Sequence, residues 1–147
     1  MTVEHIDGGA KIARLGTADR VEFGELAHYR PLMADGTTPV RTGIQISEPG
    51  YVAPMHSHPY VEMLFILEGT ADVWLEGGEN DKRRLVAGDT VALPANVPHS
   101  FSVVGDRQMR LLGIHHSPER IVNYLDRETD SDGYPILYKS TKPKEEA

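Results

Sequence analysis

The stretch GYVAPMHSHPYVEMLFILEG, residues 50–69, joins two histidines and a glutamate to the most hydrophobic run of the chain. Successive side chains of an extended strand point to opposite faces. If the stretch is extended, His56, His58 and Glu62 therefore lie on one face, and aliphatic side chains follow them on that face. The opposite face is also apolar from Val61 onward, so this strand must be covered on both sides. One face would line a core, and the other would meet a second layer or a partner subunit.

Short apolar stretches separated by Gly, Pro, Asn and Asp fill the chain from about residue 21 to residue 114. Many short strands with turns at this spacing predict an antiparallel β-sandwich or barrel. No segment of this region keeps a 3.6-residue apolar period for long, which argues against an α/β fold. The predicted strands are Val21–Arg30, Arg41–Ser47, Tyr60–Glu68, Thr70–Leu75, Arg83–Val86, Thr90–Leu93, His99–Val104 and Gln108–Ile114.

A short α-helix is predicted after the last strand, in the segment HHSPERIVNYLDRE. Ser117 can cap this helix and Pro118 suits its first position. Its apolar face would comprise Ile121, Tyr124 and Leu125. The chain then divides into three parts: an N-terminal arm at 1–20, a barrel at 21–116, and at 117–147 the helix, an extended segment and a disordered tail.

Composition excludes several classes of function. The 147 residues suit one globular domain, and a net charge of -7 without a basic cluster argues against a nucleic-acid partner. The chain has no cysteine, so disulfides and thiolate metal sites are excluded. No run approaches the ~18 apolar residues of a membrane span, and the N-terminus lacks the apolar region of a secretory signal. We therefore expect a cytoplasmic protein with neither membrane nor nucleic-acid partners.

The histidines and the glutamate predict a metal site. Imidazole nitrogen and carboxylate oxygen are ligands of first-row divalent metals, whereas a lone strand histidine is usually an ordinary core or surface residue. His99, which opens a later strand after a Pro-bounded turn in AGDTVALPANVPHSF, would add a fourth ligand to His56, His58 and Glu62. The set predicts one divalent transition metal per chain (Fe, Mn, Ni, Co, Cu or Zn), with two positions left for water or substrate.

At these residues the sequence resembles the cupins. The first cupin motif, G(X)5HXH(X)3–4E(X)6G, is matched by Gly50, His56, His58, Glu62 and Gly69. The second, G(X)5PXG(X)2H(X)3N, is matched at Gly88, Pro94 and His99, with Asn96 in place of its second Gly and Val103 in place of its Asn. Asparagine is the next-best residue for a left-handed turn. We interpret position 103 as structural, so both departures leave the metal site intact.

The resemblance covers about residues 41–114 and implies a fold and a site. The implied fold is all-β, a double-stranded β-helix (jelly-roll) barrel, to which the predicted C-terminal helix is added. The implied site is a metal centre of three histidines and one glutamate in the barrel mouth. Cupins are commonly homodimers, which agrees with the doubly apolar strand.

Strand parity also predicts a substrate pocket beside the ligands. The predicted pocket residues are Gln45, Tyr60, Leu64, Phe101 and His115. For Gln45 the alternative is the solvated face of an edge strand, and for Tyr60 and Phe101 it is an ordinary place in the core. Either His115 or His116 points inward by alternation, to support the metal or act as a general base, although strand-end histidines are more often at the surface.

Two classes of function remain open. In the first, the protein is a metalloenzyme that acts on a small oxygen-rich substrate, with a dioxygenase reaction ahead of isomerase or decarboxylase chemistry. Glu62 would then alternate between ligand and catalytic base. In the second, the barrel is a non-catalytic binding module for a sugar or an organic acid. A storage role is disfavoured because storage does not require four ligands, and the fold does not choose among the others.

Overall fold

The computed structural model describes residues 3–136, and these residues form two facing antiparallel sheets and a separate two-stranded hairpin near the N-terminus. A short 3-10 helix at Leu15–Thr17 precedes the barrel. The strands are β1 (Val3–His5), β2 (Lys11–Ala13), β3 (Val21–Glu22), β4 (Ala27–Pro31), β5 (Arg41–Ser47), β6 (His56–Ser57), β7 (Glu62–Glu68), β8 (Thr70–Leu75), β9 (Arg83–Val86), β10 (Thr90–Leu93), β11 (His99–Val103), β12 (Met109–His115) and β13 (Asn123–Tyr124).

The larger sheet has the order β10-β7-β12-β5-β4-β3, and the smaller has the order β13-β6-β11-β8-β9. Their inner faces share one apolar core, to which β7 contributes Leu64 and Ile66 and β11 contributes Phe101 and Val103. The outer side of β7 is different, because Met63, Phe65 and Leu67 are each more than a third exposed. The all-β jelly-roll barrel predicted from the sequence is therefore confirmed, and its doubly apolar strand covers the core on one face only.

Several predicted strands are confirmed with their boundaries, namely Arg41–Ser47, Thr70–Leu75, Arg83–Val86 and Thr90–Leu93. The prediction of one strand over Val21–Arg30 is wrong, because a turn separates β3 from β4 there. The prediction of a strand from Tyr60 is wrong at its start. The chain pairs first in the smaller sheet as β6, crosses over at residues 58–61, and enters the larger sheet as β7.

The predicted C-terminal helix is absent, and this part of the prediction is wrong. Ser117 does accept a hydrogen bond from the Glu119 N–H at 3.1 Å, as a cap would. The backbone beyond it is held by the barrel instead: the Ile121 N–H donates to the Tyr60 hydroxyl, and the Leu125 N–H donates to the Met55 carbonyl. Because these contacts replace helical hydrogen bonds, the segment is irregular, with bends, and contributes only the two-residue strand β13.

Two further features of the chain complete the fold. Asn96 has φ 66 and is the residue at which we expected a left-handed turn, so the mildness of this departure from the cupin motif is confirmed. Within residues 3–136 no helix has the length and apolarity of a membrane span. The predicted disordered tail falls in 137–147, outside the described residues.

Candidate metal centre

Strand pairing brings together the four predicted ligands. His99 opens β11 directly opposite His56 of β6 in the smaller sheet. Glu62 opens β7 in the larger sheet, directly opposite His115 of β12. His58 lies on the crossover between β6 and β7. It therefore lies between the ligands of the smaller sheet, His56 and His99, and Glu62 of the larger sheet. One potential ligand atom from each of His56, His58, Glu62 and His99 lies within 4.8 Å of the others.

Backbone carbonyls fix the tautomer of all three histidines. The Nδ1 atoms of His56, His58 and His99 lie 2.7, 2.8 and 3.2 Å from the carbonyl oxygens of Pro54, Ile121 and Val97. A carbonyl oxygen only accepts, so each Nδ1 carries the hydrogen, and each ring in its neutral, metal-binding form presents a bare Nε2 lone pair to the cavity. Burial lowers the pKa of His56 to about 3, which keeps that ring neutral.

The carboxylate of Glu62 faces these lone pairs. Its Oε1 lies 2.9 Å from His58 Nε2 and 3.3 Å from His99 Nε2, and the latter is buried without a hydrogen-bond partner. Bare nitrogen and carboxylate oxygen repel at such distances unless a proton or a cation lies between them. The donor set of three imidazoles and one carboxylate therefore fits a divalent transition metal.

A second set of contacts holds the other oxygen of Glu62. The Ile121 N–H donates to the Tyr60 hydroxyl at 3.2 Å, and this hydroxyl lies 2.6 Å from His115 Nδ1. Burial raises the pKa of Tyr60 to about 12, so its phenol keeps the proton and donates a hydrogen bond to His115 Nδ1. His115 Nε2–H then donates to Glu62 Oε2 at 3.0 Å. His115 is thus buried and aligned with the site, whereas His116 is exposed.

The charge of Glu62 is set by these neighbours. Burial alone would raise the pKa of its carboxyl, but the nearby His115, which also donates a hydrogen bond to it, lowers this pKa well below its ordinary value. The group is therefore ionised at neutral pH. A carboxylate of low pKa is a good ligand and a weak proton acceptor, so the environment favours the ligand role over the base role that the sequence also suggested for Glu62.

A cavity opens beside the ligands, and its lining includes four of the five predicted pocket residues, namely Gln45, Leu64, Phe101 and His115. Tyr60 is buried behind His115 instead of lining this cavity. The sequence did not point to Arg120, Arg127 or Tyr124, which also line it. These residues come from the segment predicted to be helical, and no local motif marks them.

Comparison with known protein families identifies the family of this chain. The cupin domain model matches residues 43–115, which run from β5 to the end of β12 and contain all four candidate ligands. The chain belongs to the cupin family. No curated protein sequence matches this cupin.

Solved structures with the same fold are distant in sequence. A cupin-like protein from Thermotoga maritima is 23% identical, with 87% of this chain and 98% of that chain covered and a TM-score of 0.62. The polyketide cyclase RemF from Streptomyces resistomycificus is 19% identical, with 87% and 91% covered and a TM-score of 0.64. The oxalate decarboxylase of Bacillus subtilis, studied for its Mn(II) centers, is 22% identical, with 84% and 35% covered and a TM-score of 0.68. The cupin spans about a third of that decarboxylase, and these identities establish a shared fold alone.

Replacing His115 is expected to weaken metal binding without removing a ligand. His115→Leu deletes the donor that holds Glu62 Oε2, and lost support of this kind typically costs about 10–100-fold in metal affinity. His115→Gln can still donate to the carboxylate and should retain most of the affinity. Calorimetric titration of the metal-free proteins with Mn²⁺ or Zn²⁺ measures both. Equal affinity of the Leu variant and the unsubstituted protein would contradict this role.

Proposed function

We propose that this cupin is a divalent-metal-dependent enzyme acting on a small, oxygen-rich organic substrate. One observation carries the proposal: the Nε2 atoms of His58 and His99 lie 2.9 and 3.3 Å from Glu62 Oε1, and a ligand atom of His56 lies within 4.8 Å of this group, an arrangement that a bound cation stabilises. A bound divalent ion would act as a Lewis acid toward a substrate oxygen and, if redox-active, would support oxygen chemistry.

The protein's own groups would bind and orient the substrate. His56, His58 and His99 hold fixed tautomers through backbone carbonyls, so their orientation does not depend on the substrate. His115 and Tyr60 hold Glu62 from behind. Apolar residues of the cavity, Leu64 and Phe101 among them, exclude water from the far side of the site. Such preorganisation suits a reaction that develops charge on a substrate oxygen.

The reaction class that we place first is dioxygenation. Oxygen uptake is the test, with Fe²⁺-loaded protein and a panel of catechols, β-diketones, flavonols and 2-oxo acids. We expect uptake with at least one class, and its loss in His56→Ala. Loss of substrate without oxygen uptake would select decarboxylase or isomerase chemistry, such as the decarboxylation for which the B. subtilis neighbour is named. Binding of panel compounds without turnover by any loaded metal would overturn the enzyme proposal in favour of a binding module.

We also propose that the cupin is a homodimer, formed through the outer face of β7. Three neighbouring apolar side chains, Met63, Phe65 and Leu67, are 37–41% exposed there, and exposed apolar patches mark interfaces.

Cytoplasmic localisation stays a prediction.

Substitution of Phe65 by glutamate is expected to give a monomer at micromolar concentration, because it places a charge in the middle of the apolar patch. The matched control is Val86→Glu, which adds the same charge at a 49% exposed residue of β9 in the other sheet. Light scattering coupled to size exclusion measures both. A monomeric unsubstituted protein, or an unchanged mass for Phe65→Glu, would contradict the proposed interface.

A further inference from the structure

Arg120 lies in the cavity that the four candidate ligands also line. Its guanidinium stands against three aromatic rings, with its central carbon 4.5 Å from the ring centre of Tyr134, 5.5 Å from that of Phe23 and 5.6 Å from that of Tyr29. Phe23 and Tyr29 stack on each other with an interplanar angle of 6°. These rings fix the plane of the guanidinium, so the direction of its N–H edge is fixed as well.

The charge of Arg120 has no carboxylate partner among residues 3–136. None of the ion pairs formed within this part of the chain includes it, and its Nε is buried without a hydrogen-bond partner. One terminal nitrogen donates to the Gly133 carbonyl. Its other polar neighbours are phenols, and burial raises the pKa of Tyr124 and of Tyr134, so these stay neutral. By contrast, Arg14 and Arg84 on the surface each pair with a carboxylate.

The cavity as a whole is suited to an anion. Glu62 is the one acidic residue among the described residues that line it, and its two oxygens face His58, His99 and His115. Arg120 and Arg127 line the same cavity, although the net charge of the chain is -7, and of the two only Arg127 pairs with a carboxylate of residues 3–136, that of Asp126. Arg120 is half-buried with a buried Nε, and a cation so placed without a counterion carries a desolvation cost that a bound anion offsets.

We propose that Arg120 binds the carboxylate of the substrate, so that the substrate is a small carboxylic acid with a second oxygen function directed to the metal ligands. The guanidinium fork matches a carboxylate in two parallel hydrogen bonds. Between the two ends the cavity offers apolar wall from Leu64, Phe101 and Leu111 for the body of the acid. This inference deepens the proposed function and rests on it for the role of the metal end.

The test compares carboxylates with their neutral amides. Salicylate, pyruvate, malate and benzoate, each paired with its amide, are titrated calorimetrically into the Zn²⁺-loaded protein. At least one acid should bind tenfold or more tightly than its amide, and Arg120→Gln should weaken that acid at least tenfold while leaving its amide unchanged. The matched control is Arg84→Gln, an exposed arginine paired with Asp72, which should bind as the unsubstituted protein does.

Arg120→Lys guards against loss of folding in the glutamine variant. It keeps the charge but not the fork, so we expect intermediate affinity for the acid. No preference for any acid over its amide, or an undiminished preference in folded Arg120→Gln and Arg120→Lys, would overturn the inference.

The same titrations on metal-free protein separate this inference from the proposed function. An Arg120-dependent preference for the acid in a protein that binds no metal would refute the proposed function and leave the arginine site standing. If the protein binds metal at the four ligands but its affinity for the acids does not depend on Arg120, this inference alone is refuted.

Discussion

The His56→Ala and His99→Ala proteins are expected to purify with less than about a tenth of the metal of the unsubstituted protein, and to lose metal affinity by on the order of 100-fold or more. Each change removes one of four ligands, and the three that remain cannot complete the set. Because the two histidines face each other across β6 and β11, neither loss can be compensated by movement of the other. Elemental analysis after purification in the presence of added metal measures the effect.

The control for this pair is His116→Ala. His116 follows the strand residue His115 but is exposed, so its removal should leave the metal content near one per chain. Far-ultraviolet circular dichroism on all three variants separates loss of metal from loss of fold. Unchanged metal content in both His56→Ala and His99→Ala would refute the assignment of the ligands.

The Gly69→Ala protein is expected to be strongly destabilised. Gly69 joins β7 to β8 with φ 80, and a Cβ there would lie 2.6 Å from the Gln108 carbonyl oxygen and 2.9 Å from Met109 Cα. Both obstacles are backbone atoms at the start of β12, so they cannot move aside as a side chain would. We expect a loss of about 3 kcal/mol or more in the free energy of unfolding, from left-handed strain and overpacking together.

The matched control for Gly69→Ala is Gly88→Ala. Gly88 also has a positive φ, 98, but a Cβ there would meet no atom within 4 Å. It should therefore show the backbone strain alone and lose about 2 kcal/mol less than Gly69→Ala. Urea denaturation of the metal-free proteins gives both free energies of unfolding. Equal losses would show that the close approach at Gly69 is relieved without cost.

Local patterns in the sequence predicted much of the barrel. Strands such as Arg41–Ser47 and Thr90–Leu93 are flanked by turns rich in Gly, Pro and Asp. These turn residues predicted the strand boundaries correctly. Parity also predicted correctly that His56, His58 and Glu62 come together, although the chain changes sheets between the first and the last of them. The three side chains meet even though no single strand carries them.

The features that the sequence could not show depend on hydrogen bonds between residues far apart in the chain. The capping residues at Ser117 favour a helix locally, but the N–H and the carbonyl of Ile121 are taken by Tyr60 and His58, about sixty positions earlier in the chain. The same separation hides the contact between Tyr60 and His115. Tertiary hydrogen bonds of this kind override local propensity, and no pattern within one segment reports them.

The two strands of the N-terminal arm were missed for a different reason. β1 and β2 form a short antiparallel hairpin, with Val3 opposite Ala13 and His5 opposite Lys11. The arm lacks the apolar alternation of a buried strand, and most of it is exposed or half-buried. Its one signal is the turn sequence Asp7-Gly8-Gly9, in which both glycines have positive φ. A turn signal without apolar flanks was too little to predict strands.

The central claim is that His56, His58, Glu62 and His99 bind one divalent metal, and anomalous diffraction from a crystal of the Mn²⁺-loaded protein tests it most directly. We expect one anomalous peak per chain, bonded to Nε2 of each histidine and to an oxygen of Glu62 at roughly 2.0–2.3 Å. The Nδ1 atoms should keep their carbonyl partners. The claim would be contradicted by a crystal with no anomalous peak between these four side chains, or by one in which the Mn²⁺ peak lies at another place in the protein.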